Sequence, residues 1–276
     1  MSKLLPVAGI LLLVLAGAWW AWRFAGEKSR PQSAQISSSM PVSDPVDPLP
    51  DRVASARRAK GKIVAERCRA VGLPYPPREL FLRGFKAEGQ LEVWGRETAA
   101  KFTKIATYSV LASSGEPGPK RREGDRQVPE GFYEIDLWNP QSNFHLSLRI
   151  NYPNAADRRL SDPSQPGSDI YIHGNRVTVG CLPLGDETIE ELYLLTLDTR
   201  DRGQARIPIH LFPARMSGPS WRRFLEQRGT PALVAFWNQL QPGFDAFERD
   251  HLPPAVSVAD DGEYRVQRAP AARAQL

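Results

Sequence analysis

The chain has 276 residues, of which 41% are hydrophobic and 24% charged. That balance suits one well-cored domain with flanking segments and excludes collagen-like, wholly disordered and small disulfide-stapled classes. The formal charge of +5 is uneven: residues 1–72 carry 11 Lys and Arg against 5 Asp and Glu, and the rest carry 25 against 26. Basicity that flanks an apolar run instead of covering the folded part argues against a nucleic-acid partner and for a membrane-proximal segment.

Residues Leu4 to Trp22 are uncharged and mostly apolar. At about 1.5 Å per helical residue such a run nearly crosses a hydrocarbon core of roughly 30 Å. Residues 1–25 are therefore expected to form a signal anchor or signal peptide. Ala16-Gly17-Ala18 offers a small-residue cleavage pattern, but the length of the run and the belt of Trp19, Trp20 and Trp22 favour an uncleaved anchor. Arg23, Lys28 and Arg30 follow the run, a charge bias that by itself opposes export of what comes next. Residues 26–50 read as a linker, because Ser37-Ser38-Ser39 and Pro31, Pro41, Pro45, Pro48 and Pro50 prevent regular structure.

A helix is predicted from Asp51 to about Val71, with Val53, Ala56, Ile63, Val64, Cys68 and Val71 as its apolar stripe. From Glu79 to Val179 short β-type runs alternate with turns: Leu80–Leu82, Leu91–Trp94, Phe102–Val110, Phe132–Leu137, Phe144–Ile150, Asp169–His173 and Val177–Val179. In the fifth, Phe144, Leu146, Leu148 and Ile150 alternate with His145, Ser147 and Arg149, the period of a half-buried strand. After Cys181 the period becomes helical at Ile189, Leu192, Tyr193, Thr196 and Leu197, with Asp186 and Glu190 as a cap region. A strand over Arg206–Phe212 and helices over Trp221–Leu225, Pro231–Leu240 and Phe244–Arg249 complete a mainly β, α+β domain spanning residues 51–252. Residues 253–276 lack apolar periodicity and are expected to be disordered.

The chain has no HExxH, no closely spaced Cys pair, no GxGxxG, no GxxxxGK[ST] and no GxSxG, so zinc-hydrolase, dinucleotide, P-loop and serine-hydrolase readings have no support. What stands out is Ser168 to Pro183. It reads as a strand ending in His173-Gly174, a tight return, a second strand, and Gly180-Cys181 before a helix. Adjacent strands bring His173 to Cys181, where an imidazole that accepts the thiol proton makes a usable nucleophile. A glycine before the cysteine lets the backbone N–H groups of Val179, Gly180 and Cys181 turn toward an oxyanion. The competing readings of Cys181 are a packing residue and a disulfide to Cys68. Tyr152, Asn154, Arg158 and Arg176 lie near the motif and are candidates to meet substrate carboxylates, with solvated loop positions as the alternative. His145, His210 and His251 read as surface or structural histidines.

Ile172-His173-Gly174 followed by Thr178-Val179-Gly180-Cys181 resembles the L,D-transpeptidase (YkuD-like) catalytic domain, a family of cysteine enzymes of peptidoglycan. Gly84–Trp94, Gly124–Tyr133, Asn143–Leu146, Tyr152–Arg158 and Ile209–Pro213 support the resemblance, which covers about residues 50 to 250. It implies a β-sandwich-like fold with peripheral helices, Cys181 as nucleophile, His173 as base and the Gly174 carbonyl orienting the imidazole. No metal or other cofactor is expected. Transpeptidases usually carry Ser-His-Gly before the cysteine and an arginine soon after it. Here Thr178, Val179 and Gly180, then Leu182 and Pro183, stand in those places, closer to the short-motif murein peptide amidases of Gram-negative bacteria. The resemblance thus implies a periplasmic enzyme, anchored in the inner membrane through residues 4–22, with peptidoglycan stem peptides and a wall-attached lipoprotein as partners. The expected reaction is hydrolysis of the bond between diaminopimelate and the lipoprotein's lysine. A crosslinking or attaching L,D-transpeptidase and a non-catalytic wall-binding module are the alternatives.

Overall fold

The computed structural model describes residues 51–267. The predicted anchor, the linker and residues 268–276 lie outside the described residues, among which no helix is long and apolar enough to cross a membrane.

Asp51 caps the first helix, α1 (Arg52–Ala70), by accepting the Ala54 N–H, and Ala56, Val64 and Cys68 form its buried face. The strands β1 (Glu79–Phe85), β2 (Gln90–Arg96), β3 (Thr103–Ser109), β4 (Gly131–Ser142) and β5 (His145–Ile150) follow, then the short helix α2 (Ala155–Leu160). Next come β6 (Ile170–His173), β7 (Leu182–Pro183), α3 (Asp186–Asp201), β8 (Ile207–Phe212), α4 (Gly218–Arg228), α5 (Pro231–Asp250) and the strands β9 (Ala255–Val258) and β10 (Tyr264–Gln267). Eight strands form one sheet in the order β3-β2-β1-β8-β4-β5-β6-β7. The β1·β8 and β6·β7 pairs are parallel and the others antiparallel.

Alternation along the strands explains the layers. In β1, Leu80 and Leu82 join a core with Cys68 of α1 and Ile189, Leu192 and Leu195 of α3. Phe81 and Phe85 face the other way, into aromatic clusters completed by Trp237, Phe244 and Phe247 of α5. The mainly β fold with several helices is as the sequence implies, and helices cover the sheet on both sides. Arg83, on the aromatic side, is buried because Glu92 and Glu248 pair with it at 2.8 and 2.7 Å and Phe247 lies 4.5 Å beneath its guanidinium. Strands β5, β6 and β7 contribute nothing to those aromatic clusters. Their residues on that face are Ser147, Arg149, Tyr171 and His173, while Leu146, Leu148, Ile150, Ile170, Ile172 and Leu182 point into the core with α3.

Three expectations need correction. Residues 177–179 form no strand; the partner of β6 is the two-residue β7, after the cysteine. Because that pair is parallel, the chain must travel from the end of β6 back to its start, and residues 174–181 are spent on the return. The two predicted C-terminal helices are one, α5, running through Pro242, because the apolar face of Phe236, Trp237, Leu240, Phe244 and Phe247 is continuous across it. Finally, residues 255–267 do not fray. They form a hairpin pinned by Tyr264, whose buried ring meets Phe132 edge to face at 4.9 Å and whose hydroxyl accepts a hydrogen bond from Asn154 Nδ2.

Candidate active site

Ile172 and Leu182 are register partners, and both point into the core. The residues beside them, Tyr171 and His173 on β6 and Cys181 just before β7, therefore share the opposite face. The backbone N–H of Tyr171 donates to Cys181 Sγ at 3.4 Å, and Thr178 Oγ1 donates to the Cys181 carbonyl at 2.7 Å. Cys181 is half-buried and Cys68 fully buried; both are free thiols, so the bridge between them does not form. Burial holds the Cys181 thiol pKa above its ordinary value, while the Tyr171 N–H and the nearby Lys120 charge pull the other way.

His173 is 2% exposed, and its Nδ1 lies 2.5 Å from the Gly174 carbonyl. A carbonyl only accepts, so Nδ1 carries the proton and Nε2 is left with its lone pair. The Phe144 ring lies 4.7 Å from the imidazole at a tilt of 31°. Burial lowers the His173 pKa, with the Gly174 hydrogen bond opposing, so the imidazole is neutral at neutral pH. Only glycine fits at 174: a Cβ there would lie 2.5 Å from Asp186 Oδ1 and 2.7 Å from the Phe144 carbonyl. Extending the β6·β7 register back by one residue makes His173 and Cys181 diagonal neighbours, a separation of roughly 7 Å between Cα atoms. Among the described residues no hydrogen bond joins Sγ to the ring. The resting pair is thus a neutral thiol and a neutral imidazole on one face of the sheet.

The structure divides the other predicted residues. The Gly180 N–H is not a free oxyanion donor. It donates to Ser114 Oγ at 2.7 Å, and that hydroxyl donates to the Arg126 carbonyl at 2.8 Å. Gly180 has φ +86° and a Cβ there would lie 3.0 Å from the Gln127 carbonyl, so this glycine serves the turn against the 111–130 segment. Val179, 66% exposed, and Cys181 remain of the predicted trio. Tyr152 and Asn154 are not substrate contacts. The buried Tyr152 hydroxyl donates to the Pro166 carbonyl at 2.6 Å. Asn154 caps α2 in a capping box with Asp157 and gives its Nδ2 to the Phe132 carbonyl and Tyr264. Arg158 on α2 and Arg176 in the 174–181 return are exposed. His145 is structural, pairing with Glu190 at 2.8 Å.

Sequence reasoning missed four residues around this pair: Phe144 as a ring partner of the imidazole, Ser114 as the tether of Gly180, and Arg149 and Tyr171 on the site face. The two-residue alternation of β5 already put Arg149 on the face opposite the core. What it lacked was the knowledge that β5 pairs with β6 so that Arg149 lies opposite Tyr171.

A thiol, a neutral imidazole of fixed tautomer and backbone amides on one sheet face suit acyl transfer through sulfur. Residues 86–211 match the L,D-transpeptidase catalytic domain (YkuD). Over 191 residues, 68% of this chain and 74% of the relative, the chain is 30% identical to YafK of Escherichia coli K12, an L,D-transpeptidase by name, and equally to YafK of E. coli O157:H7. Among solved structures it is similar to the helical cell shape determining protein Pgp2 of Campylobacter jejuni, with TM-score 0.40 and 19% identity over 61% of this chain and 58% of that one. Bd1075 of Bdellovibrio bacteriovorus follows at TM-score 0.35 and 23% identity over 61% and 60%. The chain belongs to the L,D-transpeptidase family of catalytic domains.

Proposed function

We propose that this protein is a periplasmic cysteine amidase, anchored in the inner membrane, that detaches a covalently bound lipoprotein from peptidoglycan. The observation that carries the reading is the placement of Cys181 Sγ under the Tyr171 N–H, on the same face as an imidazole whose Nδ1 is committed to the Gly174 carbonyl. As Sγ attacks the diaminopimelate carbonyl, its proton passes to His173 Nε2 and the S–C bond forms. The tetrahedral oxyanion is held by the Cys181 and Val179 amides. When it collapses, the C–N bond breaks and His173 returns the proton to the departing lysine amine. Water, deprotonated by the same imidazole, then hydrolyses the thioester and restores the thiol. Residues 182–183, Leu-Pro where transpeptidases usually place an arginine, favour water over an acceptor amine.

Family membership keeps transpeptidation as the second reading, since an amine can resolve the same thioester. Sacculi carrying bound lipoprotein, incubated with the purified protein and analysed by mass spectrometry, separate the cases. Freed lipoprotein peptide, lost in Cys181→Ala, is expected. Joined muropeptides would select transpeptidation, and no covalent change of either kind would leave a wall-binding module.

A further inference from the structure

Arg149 and Tyr171 are cross-strand partners on the site face, and the Tyr171 N–H is the group that holds Cys181 Sγ. Asp136 accepts from Arg149 Nε and Nη2 at 2.9 and 3.1 Å, which fixes the guanidinium plane. Among the described residues the remaining nitrogen, Nη1, has no partner, and the side chain is 32% exposed. On the other side of Tyr171, its hydroxyl donates to one oxygen of the exposed Asp169 at 3.0 Å, leaving the second oxygen open. A fixed cation and a fixed anion thus flank one tyrosine beside the thiol, and the anion is near enough to add to the effect of burial on Cys181.

From this arrangement we infer that Arg149 and Asp169 form a clamp for a zwitterionic amino-acid head, Arg149 taking its carboxylate and Asp169 its ammonium. The inference rests on the proposed reaction, in which the acyl group is diaminopimelate: one end supplies the carbonyl that Cys181 attacks, and the other bears both charges on a single carbon. Lengths agree. Arg149 and Cys181 stand two strands apart, about 10 Å between backbones at a strand spacing of roughly 4.8 Å. A seven-carbon chain extends about 7 Å at the extended-chain advance of roughly 1.2 Å per bond, and the arginine side chain covers the remainder. The bidentate Asp136 partner on β4 holds the guanidinium in one plane instead of leaving it to sweep through solvent, and leaves Nη1 as the donor not committed to it. Arg149 and Asp169 are positioning and specificity residues in this account, because neither handles the reacting atoms.

The test uses a synthetic tripeptide, alanyl-glutamyl-diaminopimelate, whose first diaminopimelate carboxyl is joined to the Nε of lysine. Two analogues accompany it, one with the second carboxyl amidated and one with the second amine acetylated. Wild-type protein should lose about 10- to 100-fold in kcat/KM on each analogue, the penalty of an unmade charge-assisted bond. Arg149→Gln should erase the discrimination against the amide and keep that against the acetyl compound; Asp169→Asn should do the reverse. A wild-type enzyme that cuts all three alike overturns the clamp without any variant having to fold, as does a variant that slows all three equally. If wild-type protein cuts none of the three and releases nothing from sacculi, the proposed function itself fails and takes the clamp with it.

Discussion

The Tyr171 N–H and Cys181 Sγ meet at 3.4 Å across the gap between β6 and β7, which makes a backbone amide, and not the imidazole, the resting partner of the sulfur. The hydrogen bond favours the thiolate, but burial outweighs it.

The first prediction concerns pH. In the proposed mechanism His173 must be neutral to act as base, and burial lowers its pKa, so the acid limb of kcat/KM should lie below the ordinary histidine value of about 6.5. The raised thiol should keep iodoacetamide alkylation of Cys181 slow near neutrality, accelerating only above the ordinary thiol value of about 8.5. Fast alkylation at pH 6 would reveal a preformed thiolate–imidazolium pair and contradict the neutral resting state. Cys181→Ala should fold normally and abolish turnover.

Gly174→Ala should damage stability and activity together. The added Cβ would meet Asp186 Oδ1 at 2.5 Å, the Phe144 carbonyl at 2.7 Å and His145 Cβ at 3.0 Å, and the carbonyl is backbone that cannot swing aside. A loss of about 1–3 kcal/mol is expected, read by denaturant unfolding. The accompanying fall in kcat should exceed that in His145→Ala, because Gly174 carries the carbonyl that sets the His173 tautomer.

Ser114→Ala removes the bridge between the Gly180 N–H and the Arg126 carbonyl. Stability should drop by roughly 1 kcal/mol. The turn carrying Cys181 loses its tether to the 111–130 segment, so kcat should fall several-fold with KM nearly unchanged. A lowered melting temperature with unchanged kcat would limit Ser114 to a structural role.

His210 should make the fold acid-sensitive. It is buried between Phe81 and Phe132 at ring distances of 4.6 and 4.7 Å, its Nδ1 has no partner, and burial, aided by the Arg83 charge, lowers its pKa to about 3. Below the unfolded value of about 6.5 the unfolded chain binds a proton that the native chain refuses, so stability falls as pH drops, by roughly 3 kcal/mol at pH 4. His210→Leu should flatten the stability profile between pH 4 and 6.5 in urea titrations, whatever its effect at pH 7.

The sequence by itself determined the strands and helices whose periodicity is local. The alternation in β5, the stripe of α1 and the helical period of α3 were legible because each buries one continuous face. The short span that carries His173 and Cys181 stood out too, since few other residues in the chain carry such chemistry, and the register of β6 with β7 sets both on one face. What only the tertiary structure decided depends on contacts between distant segments. The parallel register of β6 with a two-residue β7 turns residues 177–179 into loop. Ser114, 66 residues upstream of Gly180, takes the amide that composition offered to an oxyanion. Tyr152 and Asn154, polar and close in number to the motif, are used up inside the fold. Arg149 joins the site only because β5 lies beside β6. Burial and hydrogen-bond satisfaction are settled between strands and loops far apart in the chain, and no local pattern encodes which partner will arrive first.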